Sequence, residues 1–413
     1  MRSHRFSHLS RRRLMQVAGA GMAVGRIDGR FRPTTVGAQA DLSQQELRTI
    51  GLSVTVQDRI LEDFKAKSGV KSTTGTAAIY PDATPKVITG KGKEFDVYEI
   101  IGERVPQVVD AGAVKPIPAA SIENWQYARE LFNTPDPERF GEGRTDISRQ
   151  IYEDDTRTNL LMVPTVFNFD SVGYLPEFVE DEAANTWTSI FDDKFKGKAA
   201  LNVDPLISMQ QIARAVNTLG LSEVKNPGNL SDAEVDEAIK WVIEKKQGGQ
   251  FRSLWGDFGE LVNLMASKEV IVADAWQPAV MAVKAQGVDC KYAVPVEGYR
   301  AWAIGICAIQ ESPNYDAAVA YANYWLSGPP AITVSEQGYY SPVTTIQDAM
   351  PAEKYGFWYE GKPWVGAEDR GIKEGDLRDG GSLAERSAAI GVWHQWPDNY
   401  DYLIERWDEF LNA

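Results

Sequence analysis

The sequence predicts an α/β protein of two lobes, and three features of the chain support this fold class. Its 413 residues are enough for two domains of ordinary size, each with a core of its own. Short apolar runs of strand length alternate with segments of helical spacing, which indicates a mostly parallel sheet covered by helices. The second half of the chain has such elements of its own, which favours two α/β lobes over one.

The first half of the chain begins with this alternation. Val56, Ile60, Leu61 and Phe64 recur at helical spacing, and Gly69 follows as the expected C-terminal cap. The predicted strands cover 47–54, 70–74 and 94–101. The predicted helices run from 56 to just before 69, through 86–90, and over 105–110. A Pro- and Asp-rich stretch at 133–157 predicts irregular structure, and 160–167 predicts a strand that leads into 168–174.

The second half contains a clear helix start. Ser231 and Glu234 have the spacing of a capping box, in which each side chain binds the backbone amide of the other residue. The helix that begins there is predicted to end at Gly248. The other predicted elements are strands at 199–203, 270–273, 292–296 and 302–309, helices at 207–219 and 314–327, and a turn at 226–228.

The composition is that of a soluble globular protein. Hydrophobic residues make up 43% and charged residues 24% of the chain, and the formal net charge is −15. The first 40 residues hold eight Arg and one Asp, so the remainder is more acidic still. Such a surface repels phosphate backbones and anionic lipid headgroups, which argues against nucleic-acid binding and direct membrane insertion. We expect a monomer.

The N-terminus has the features of an export signal. Ser10-Arg11-Arg12-Arg13-Leu14 resembles the twin-arginine motif, which a receptor reads, and a short Gly- and Ala-rich run follows it. Ala38-Gln39-Ala40 has the small-x-small pattern of a signal peptidase site. We therefore predict a twin-arginine-type signal peptide over residues 1–40 and a periplasmic location. No later stretch has the roughly 20 apolar residues that a membrane helix needs.

Cysteine and histidine usage gives little support to an enzyme or a metal site. Cys290 and Cys307 could form one disulfide or remain thiols, and no CxxC motif is present. His394 is the one histidine after the signal, and we interpret it as a partly buried residue. The chain has no Gly-x-Ser-x-Gly elbow, HExxH motif or phosphate-binding loop. We predict no catalytic residues, no metal and no cofactor.

Six segments, in order and spread over nearly all of the chain after the signal, resemble one known family. They lie at 61–70, 94–97, 163–174, 186–204, 273–298 and 338–342, and the strongest is TWTSIFDDKFKGK at 186–198. They are similar to the spermidine/putrescine-binding proteins of bacterial ABC importers. Each segment is weakly specific alone, whereas six in the right order are a strong signal.

The resemblance implies a bilobal fold of the type II periplasmic binding protein class, with two α/β lobes joined by crossover strands. Lobe 1 would begin with 41–168, lobe 2 would comprise 169–275, and 276–413 would return to lobe 1 and add a C-terminal helical segment. The lobes would close on a small-molecule ligand, and the closed form would engage a permease and ATPase complex at the inner membrane.

The resemblance also implies a ligand site lined by aromatic rings and carboxylates, which both attract ammonium groups. Trp276 stands at a ligand-stacking position, and Asp204 matches a family carboxylate or else caps the helix at 207. Trp255 and Tyr340 could belong either to the site or to the core. The candidate ligand-binding residues are Glu103, Phe167, Phe169, Asp170, Asp204, Trp255, Trp276, Arg300, Trp302 and Tyr340.

The chain departs from the polyamine-binding pattern at several positions. Leu52-Ser53 replaces a Trp-Thr pair, Glu103 stands where a cleft Tyr is expected, and Ile207 replaces a carboxylate. Arg300 is either a cleft guanidinium, which suits a substrate carboxylate and repels a linear polyamine, or a solvated strand residue. The leading prediction is an amine-bearing solute such as a polyamine. An opine-like zwitterion is the alternative, followed by ferric ion at Tyr339-Tyr340 or an exported hydrolase.

Overall fold

A computed structural model describes residues 41–134 and 147–413, so the predicted signal peptide and part of the irregular stretch lie outside the described residues. The strands are β1 (Glu46–Gly51), β2 (Ser72–Ala77), β3 (Val97–Ile101), β4 (Ile117–Pro118), β5 (Asn159–Leu160), β6 (Val163–Tyr174), β7 (Ala199–Asn202), β8 (Phe251–Trp255), β9 (Val272–Ala275), β10 (Lys291–Tyr292), β11 (Tyr299–Ala308) and β12 (Ile390–Trp393).

The helices lie mainly between these strands. They are α1 (Asp58–Ser68), α2 (Tyr80–Gly90), α3 (Val105–Asp110), α4 (Glu130–Asn133), α5 (Ser148–Ile151), α6 (Asp181–Ala184), α7 (Pro205–Thr218), α8 (Asp232–Gln247), α9 (Phe258–Ala266), α10 (Gln277–Ala285), α11 (Tyr315–Trp325), α12 (Pro329–Ser335), α13 (Ile346–Ala349), α14 (Ala352–Glu360), α15 (Leu383–Ala388) and α16 (Tyr400–Asn412). Within the described ranges, no helix is both long and apolar enough to span a bilayer.

Ten of the described strands form one sheet with two parallel parts. The strand order is β2-β1-β3-β11-β6-β9-β7-β8, with β12 added beside β11 and β10 beside β6. β2, β1 and β3 are parallel, and so are β9, β7 and β8. β6 and β11 run antiparallel to each other and to their neighbours β9 and β3. The prediction of a mostly parallel sheet is therefore wrong at its centre, where two long strands connect the halves.

These two strands, hereafter the crossover strands, pass from one parallel half to the other. The first part of β6 pairs with β11, and its last four residues, Ser171 to Tyr174, pair with β9. Every residue of β6 and of β11 is buried. Strands covered on both faces have continuous apolar and small residues, with few polar ones. The polar residues that do occur there therefore need partners inside the protein.

Most of the predicted elements are present, because their local signals agree with the packing. The Gly69 cap is left-handed, with a φ of 73°, and both hydrogen bonds of the Ser231–Glu234 capping box are formed. The predicted strand at 292–296 is wrong beyond Tyr292, because Pro295 precedes a turn at Gly298 with a φ of 85°. β8, α9 and α10 were not predicted.

The C-terminal segment extends past the crossover strands. β12 pairs in parallel with Tyr299–Ala301 of β11, and α16 then packs against α8. Tyr402 of α16 donates a hydrogen bond of 2.7 Å to Asp236 of α8. The two cysteines are buried as free thiols, and burial raises the pKa of both. The disulfide that the sequence left open is not formed.

Candidate functional site

The carboxyl ends of strands from both parallel halves meet beside the middle of the crossover strands. β3 ends at Ile101, opposite Ile304 of β11, and continues into the turn Gly102–Arg104. From the other half, β7 leads into Asp204 and β9 leads into Trp276. Ligands of open α/β sheets bind at such strand ends. The location therefore marks a candidate ligand site.

A buried ion pair forms the floor of this site. Asp170 of β6 lies opposite Arg300 of β11, and the two side chains make a direct Nη2–Oδ2 salt bridge. Trp302 Nε1 donates a hydrogen bond of 2.7 Å to the other oxygen of Asp170. Burial raises the pKa of Asp170, and Arg300 and Trp302 oppose this shift. Arg300 is only 1% exposed, so its interpretation as a solvated strand residue is wrong.

His394 and Glu103 extend the charged network from this floor. Arg300 Nη1 donates to His394 Nδ1 over 3.0 Å, and Glu103 Oε2 lies 3.3 Å from the same nitrogen. Burial, together with the charges of Arg300 and Arg104, lowers the pKa of His394, so the ring is neutral. Burial raises the pKa of Glu103 to about 7, against the opposing charge of Arg104. His394 is fully buried rather than partly buried, and its place in the network was not predicted.

A second buried carboxylate lies among tryptophans on the side of β9. Trp255 Nε1 donates a hydrogen bond of 2.8 Å to Asp274 Oδ1, while Asp274 Oδ2 has no hydrogen-bond partner among the described residues. Burial raises the pKa of Asp274 to about 7. Trp276 meets Trp255 edge to face at 4.8 Å, and Phe258 stacks on Trp276 at 6.4 Å. Phe258 is partly exposed, so this aromatic wall reaches the surface.

An ion pair joins the two parallel halves across the site. Arg104, after β3, lies 3.6 Å from Asp204, after β7. The Arg104 guanidinium is also 5.5 Å from the ring of Tyr80 and 5.7 Å from that of Trp396. Asp204 in addition accepts a hydrogen bond of 2.9 Å from the Leu206 amide at the start of α7. Asp204 therefore caps α7 and also lies within the candidate site.

Three predicted residues lie on the opposite face of the crossover strands, because successive side chains of a strand alternate between its faces. Phe167 and Phe169 alternate with Asp170 along β6, and Tyr340 stacks on Phe167 at 5.4 Å. All three are fully buried. The structure therefore brings together Glu103, Asp170, Asp204, Trp255, Trp276, Arg300 and Trp302, and separates from them Phe167, Phe169 and Tyr340.

Sequence reasoning missed two residues of the candidate site, Asp274 and His394. It also missed that Arg104 pairs with Asp204. Asp274 had a usable signal, since it is a carboxylate inside the short apolar strand that precedes Trp276. A charged residue at such a position is seldom buried unless it has a specific partner. His394 had no comparable signal, because its contacts join residues far apart in the chain.

The tyrosine pair considered for ferric ion does not converge. Tyr339 lies 5.9 Å from Trp302, on the Asp170 face, whereas Tyr340 stacks on Phe167 on the other face. Within residues 41–134 and 147–413, no group of three or more His, Cys, Asp or Glu side chains could hold a metal ion. The geometry does not support a ferric site at this pair.

The family of the chain follows from a match over most of its length. A model of the bacterial extracellular solute-binding proteins matches residues 59–356. The chain belongs to this family. Its members bind a small solute outside the cytoplasm and work with the membrane permease and ATPase of ABC transporters, and they are not enzymes. No curated protein matches the chain in sequence.

Solved structures share the fold at low sequence identity. A spermidine/putrescine ABC transporter substrate-binding protein from Streptococcus pneumoniae has a TM-score of 0.63 at 14% identity, covering 89% of this chain and 99% of its own. An ABC transporter substrate-binding protein from Bradyrhizobium japonicum has a TM-score of 0.59 at 16% identity, with coverage of 89% and 99%. A structure described as a GABA receptor has a TM-score of 0.58 at 15% identity, with coverage of 88% and 95%. These similarities show that the chain has the fold of substrate-binding proteins.

Proposed function

We propose that this solute-binding protein captures an amine-bearing, cationic solute for an ABC importer. The proposed site is the acidic crevice, which we define as Glu103, Arg104, Asp170, Asp204, Asp274 and Arg300 with the aromatic wall Trp255, Trp276 and Phe258. The supporting observation is its charge. It holds four carboxylates and two guanidiniums. Arg300 pairs with Asp170, and Arg104 pairs with Asp204 at 3.6 Å and more distantly with Glu103 at 4.0 Å.

The other two carboxylates are the positions where a cation would be stabilised. Burial raises the pKa of Glu103 and of Asp274 to about 7, because neither has a close basic partner that fully offsets the loss of water. An ammonium group beside either one would favour its ionised form. Asp274 Oδ2, which has no partner among the described residues, is the acceptor best placed for this role.

The aromatic wall suits the same chemistry. Ring faces of tryptophan attract ammonium groups, and the attraction is strongest where water is excluded. Trp255 is fully buried, whereas Trp276 is partly exposed and lies between it and the surface. A linear amine could therefore lie along Trp276 with one ammonium group at Asp274.

We also propose that the crevice closes by movement of two lobes. In this proposal residues 41–168 begin lobe 1, 169–275 form lobe 2, and 276–413 return to lobe 1 with the C-terminal helices. The first boundary falls inside β6, and the second coincides with the end of β9. The Arg104–Asp204 ion pair would form only in the closed state, and a ligand that contacts both lobes would favour that state.

Export by the twin-arginine route, a periplasmic location and a monomeric state belong to the same proposal. Their support is the Arg11–Arg13 motif, the small-residue pattern that ends at Ala40, and the acidic surface of the remaining chain. Cleavage near Ala40 would remove the basic segment and release the binding domain.

A zwitterionic solute is the second candidate, and one observation favours it. Arg104 Nε has no hydrogen-bond partner among the described residues, and the side chain is about 12% exposed at the rim. A carboxylate could bind there while an ammonium group binds at Asp274. It would compete with Asp204 for Arg104, which makes the purely cationic solute the better fit.

Calorimetric titration of the purified protein would test the proposal. The ligands would be putrescine, spermidine, opines, amino acids and betaines, and the variants would be Asp274→Asn and Arg104→Gln. Asp193→Asn, at an exposed carboxylate outside the crevice, is the matched control. Diamine binding that is lost in Asp274→Asn and kept in the control supports the proposal. Binding that needs Arg104 and a solute carboxylate supports the zwitterion, and binding of no amine rejects both.

A further inference from the structure

Behind the crossover strands, on the face opposite the acidic crevice, lies a cluster that the solute-binding function does not use. We define it as the arginine cage: Arg378 and Arg386 from the C-terminal segment, with Tyr299 of β11 and Tyr340. Arg386, Tyr299 and Tyr340 are fully buried, and Arg378 is 4% exposed. The cage therefore holds two guanidinium groups away from water.

The two guanidiniums have aromatic neighbours but no carboxylate partner. The Arg378 carbon Cζ lies 4.3 Å from the centre of the Tyr340 ring, and that of Arg386 lies 5.9 Å from the same ring. Arg386 is also 5.0 Å from the ring of Tyr299. Among the described residues, no Asp or Glu side chain makes a salt bridge or hydrogen bond with either guanidinium. The nearby Asp379 carboxylate pairs instead with Lys284 at 3.5 Å.

One edge of Arg386 makes no hydrogen bond with the described residues. Its Nη1 donates to Gln277 Oε1 at 3.0 Å and to the Asp379 carbonyl at 2.8 Å. Its Nε and Nη2, which point the same way and form the bidentate edge of a guanidinium, have no hydrogen-bond partner among the described residues. The hydroxyls of Tyr299 and Tyr340 are likewise without partners there. The free polar atoms of the cage are thus all donors or hydroxyls.

No Asp or Glu side chain among the described residues forms a salt bridge with either guanidinium. Burial opposes the charge of Arg386, but the surrounding tyrosines and Asp379 outweigh this effect and raise its pKa. Burial, with the adjacent charge of Arg386, lowers the pKa of Arg378 to about 10. Buried charges in proteins are normally paired, and a buried donor without an acceptor is destabilising. Gln277 is the first residue of α10, so the positive end of that helix dipole lies beside Arg386 as well.

We propose that the arginine cage is a second binding site, specific for a small carboxylate or similar oxyanion. Two oxygens of the anion would accept hydrogen bonds from Nε and Nη2 of Arg386, and the Tyr299 hydroxyl would donate a third. The bound anion would fix the C-terminal segment against the back of the crossover strands. β6 and β11 lie between this site and the acidic crevice, so the anion would not occupy the place of the solute.

Thermal unfolding in two sodium salts of equal ionic strength tests this site. Formate is the smallest carboxylate, whereas gluconate has a carboxylate on a bulky polyhydroxyl chain. We expect a saturable rise in Tm of a few degrees in formate relative to gluconate, because a ligand that binds only the folded state stabilises it. Arg386→Lys, which keeps the charge and removes the bidentate edge, should abolish the rise.

Tyr299→Phe makes the test robust if Arg386→Lys folds poorly. The hydroxyl has no partner in the described chain, so its removal should raise Tm slightly in gluconate and reduce the formate effect. The matched control is Tyr321→Phe, which changes a buried tyrosine that is hydrogen-bonded to Glu99 on another part of the sheet. This substitution should change Tm by the same amount in both salts. Putrescine binding should not differ between wild type and Tyr299→Phe, which keeps this result separate from the proposed function.

Two outcomes would overturn the proposal. One is an equal Tm in formate and gluconate. The other is a formate effect that does not saturate, or that both Tyr299→Phe and Arg386→Lys retain, which would indicate an adventitious ion only.

Discussion

The two faces of the crossover strands hold opposite kinds of charge. On one face Asp170 and Arg300 neutralise each other, and Glu103 and Asp274 add carboxylates around them. On the other face Arg386 is enclosed by rings, including Phe169 at 5.3 Å. The difference shows how the alternation of side chains lets two fully buried strands separate an acidic cluster from a basic one.

Of the changes that test this comparison, breaking the Asp170–Arg300 pair should have the largest effect on stability. Asp170→Ala leaves a buried guanidinium without its partner, which should lower the free energy of unfolding by about 3–5 kcal/mol. Urea unfolding measures the loss. The double variant Asp170→Leu with Arg300→Met should recover much of it, since neither charge then remains. A loss below about 1 kcal/mol in Asp170→Ala would show that the pair is not enclosed as described.

Asp274→Asn should distinguish the binding role of the acidic face from its structural role. The change keeps the acceptor for Trp255 and removes the charge, so the affinity for a diamine should fall about 10- to 100-fold, as expected for loss of a charged hydrogen bond. Removal of a buried charge should also raise the Tm of the unliganded protein at pH 8. Calorimetry and thermal unfolding measure the two effects. Unchanged diamine affinity would exclude Asp274 from the site.

Binding of a diamine on the acidic face should depend on pH, whereas binding of formate on the basic face should not. Glu103 and Asp274, with pKa values of about 7, take up protons as the pH falls from 8 to 6, so diamine binding should weaken over this range. Formate binding at Arg386 should stay nearly constant there, because guanidinium and formate keep their charges. Titrations at four pH values test both statements, and equal pH profiles would contradict them.

The same two carboxyl groups also determine how the stability of the unliganded protein changes with pH. Their folded-state pKa values lie above the usual values of 4.5 and 3.8, so the stability that protonation gives is lost as the pH rises toward and through 7. Glu99, with a pKa raised by burial to about 7, acts in the same direction. His394 has the opposite effect below its ordinary pKa of 6.5, because the fold holds the ring neutral while the unfolded chain takes up a proton. It therefore lowers the stability as the pH falls below 6.5. The Tm of the unliganded protein should therefore be higher at pH 6.5 than at pH 8.

The smallest expected effect is at the capping box, which belongs to neither face. Ser231→Ala removes the side-chain acceptor of the Glu234 amide and should lower the free energy of unfolding by about 1 kcal/mol. Solute binding and the formate effect should both be unchanged. A change in either would show that α8 is coupled to the crossover strands.

Local signals predicted much of the fold. The helix cap at Gly69, the capping box at Ser231 and the helix at Val105–Asp110 depend on residues close in the chain, and all three are present. The first part of the strand Val163–Tyr174 was also predicted, from the apolar run at 160–167. The antiparallel centre of the sheet was not, because strand direction depends on where each strand pairs and leaves no mark on its own residues.

The candidate site was predicted in part. The resemblance to polyamine-binding proteins, together with the departures from it, pointed to seven residues that meet at the strand ends, including Asp204, Trp276 and Arg300. It also pointed to Phe167, Phe169 and Tyr340, which lie on the other face. The face of a buried strand cannot be assigned from its sequence when both sides are covered, because apolar residues then occur at every position.

The sequence by itself determined the α/β class, the solute-binding family and the acidic character of the chain, since these depend on composition, periodicity and ordered motifs. Only the tertiary structure decided that Arg300 pairs with Asp170, that His394 joins Glu103, and that Arg386 lacks a carboxylate partner among the described residues. Those outcomes depend on contacts between residues more than 90 positions apart in the chain. Such contacts set burial and pairing, and burial and pairing set the charge that a ligand would meet.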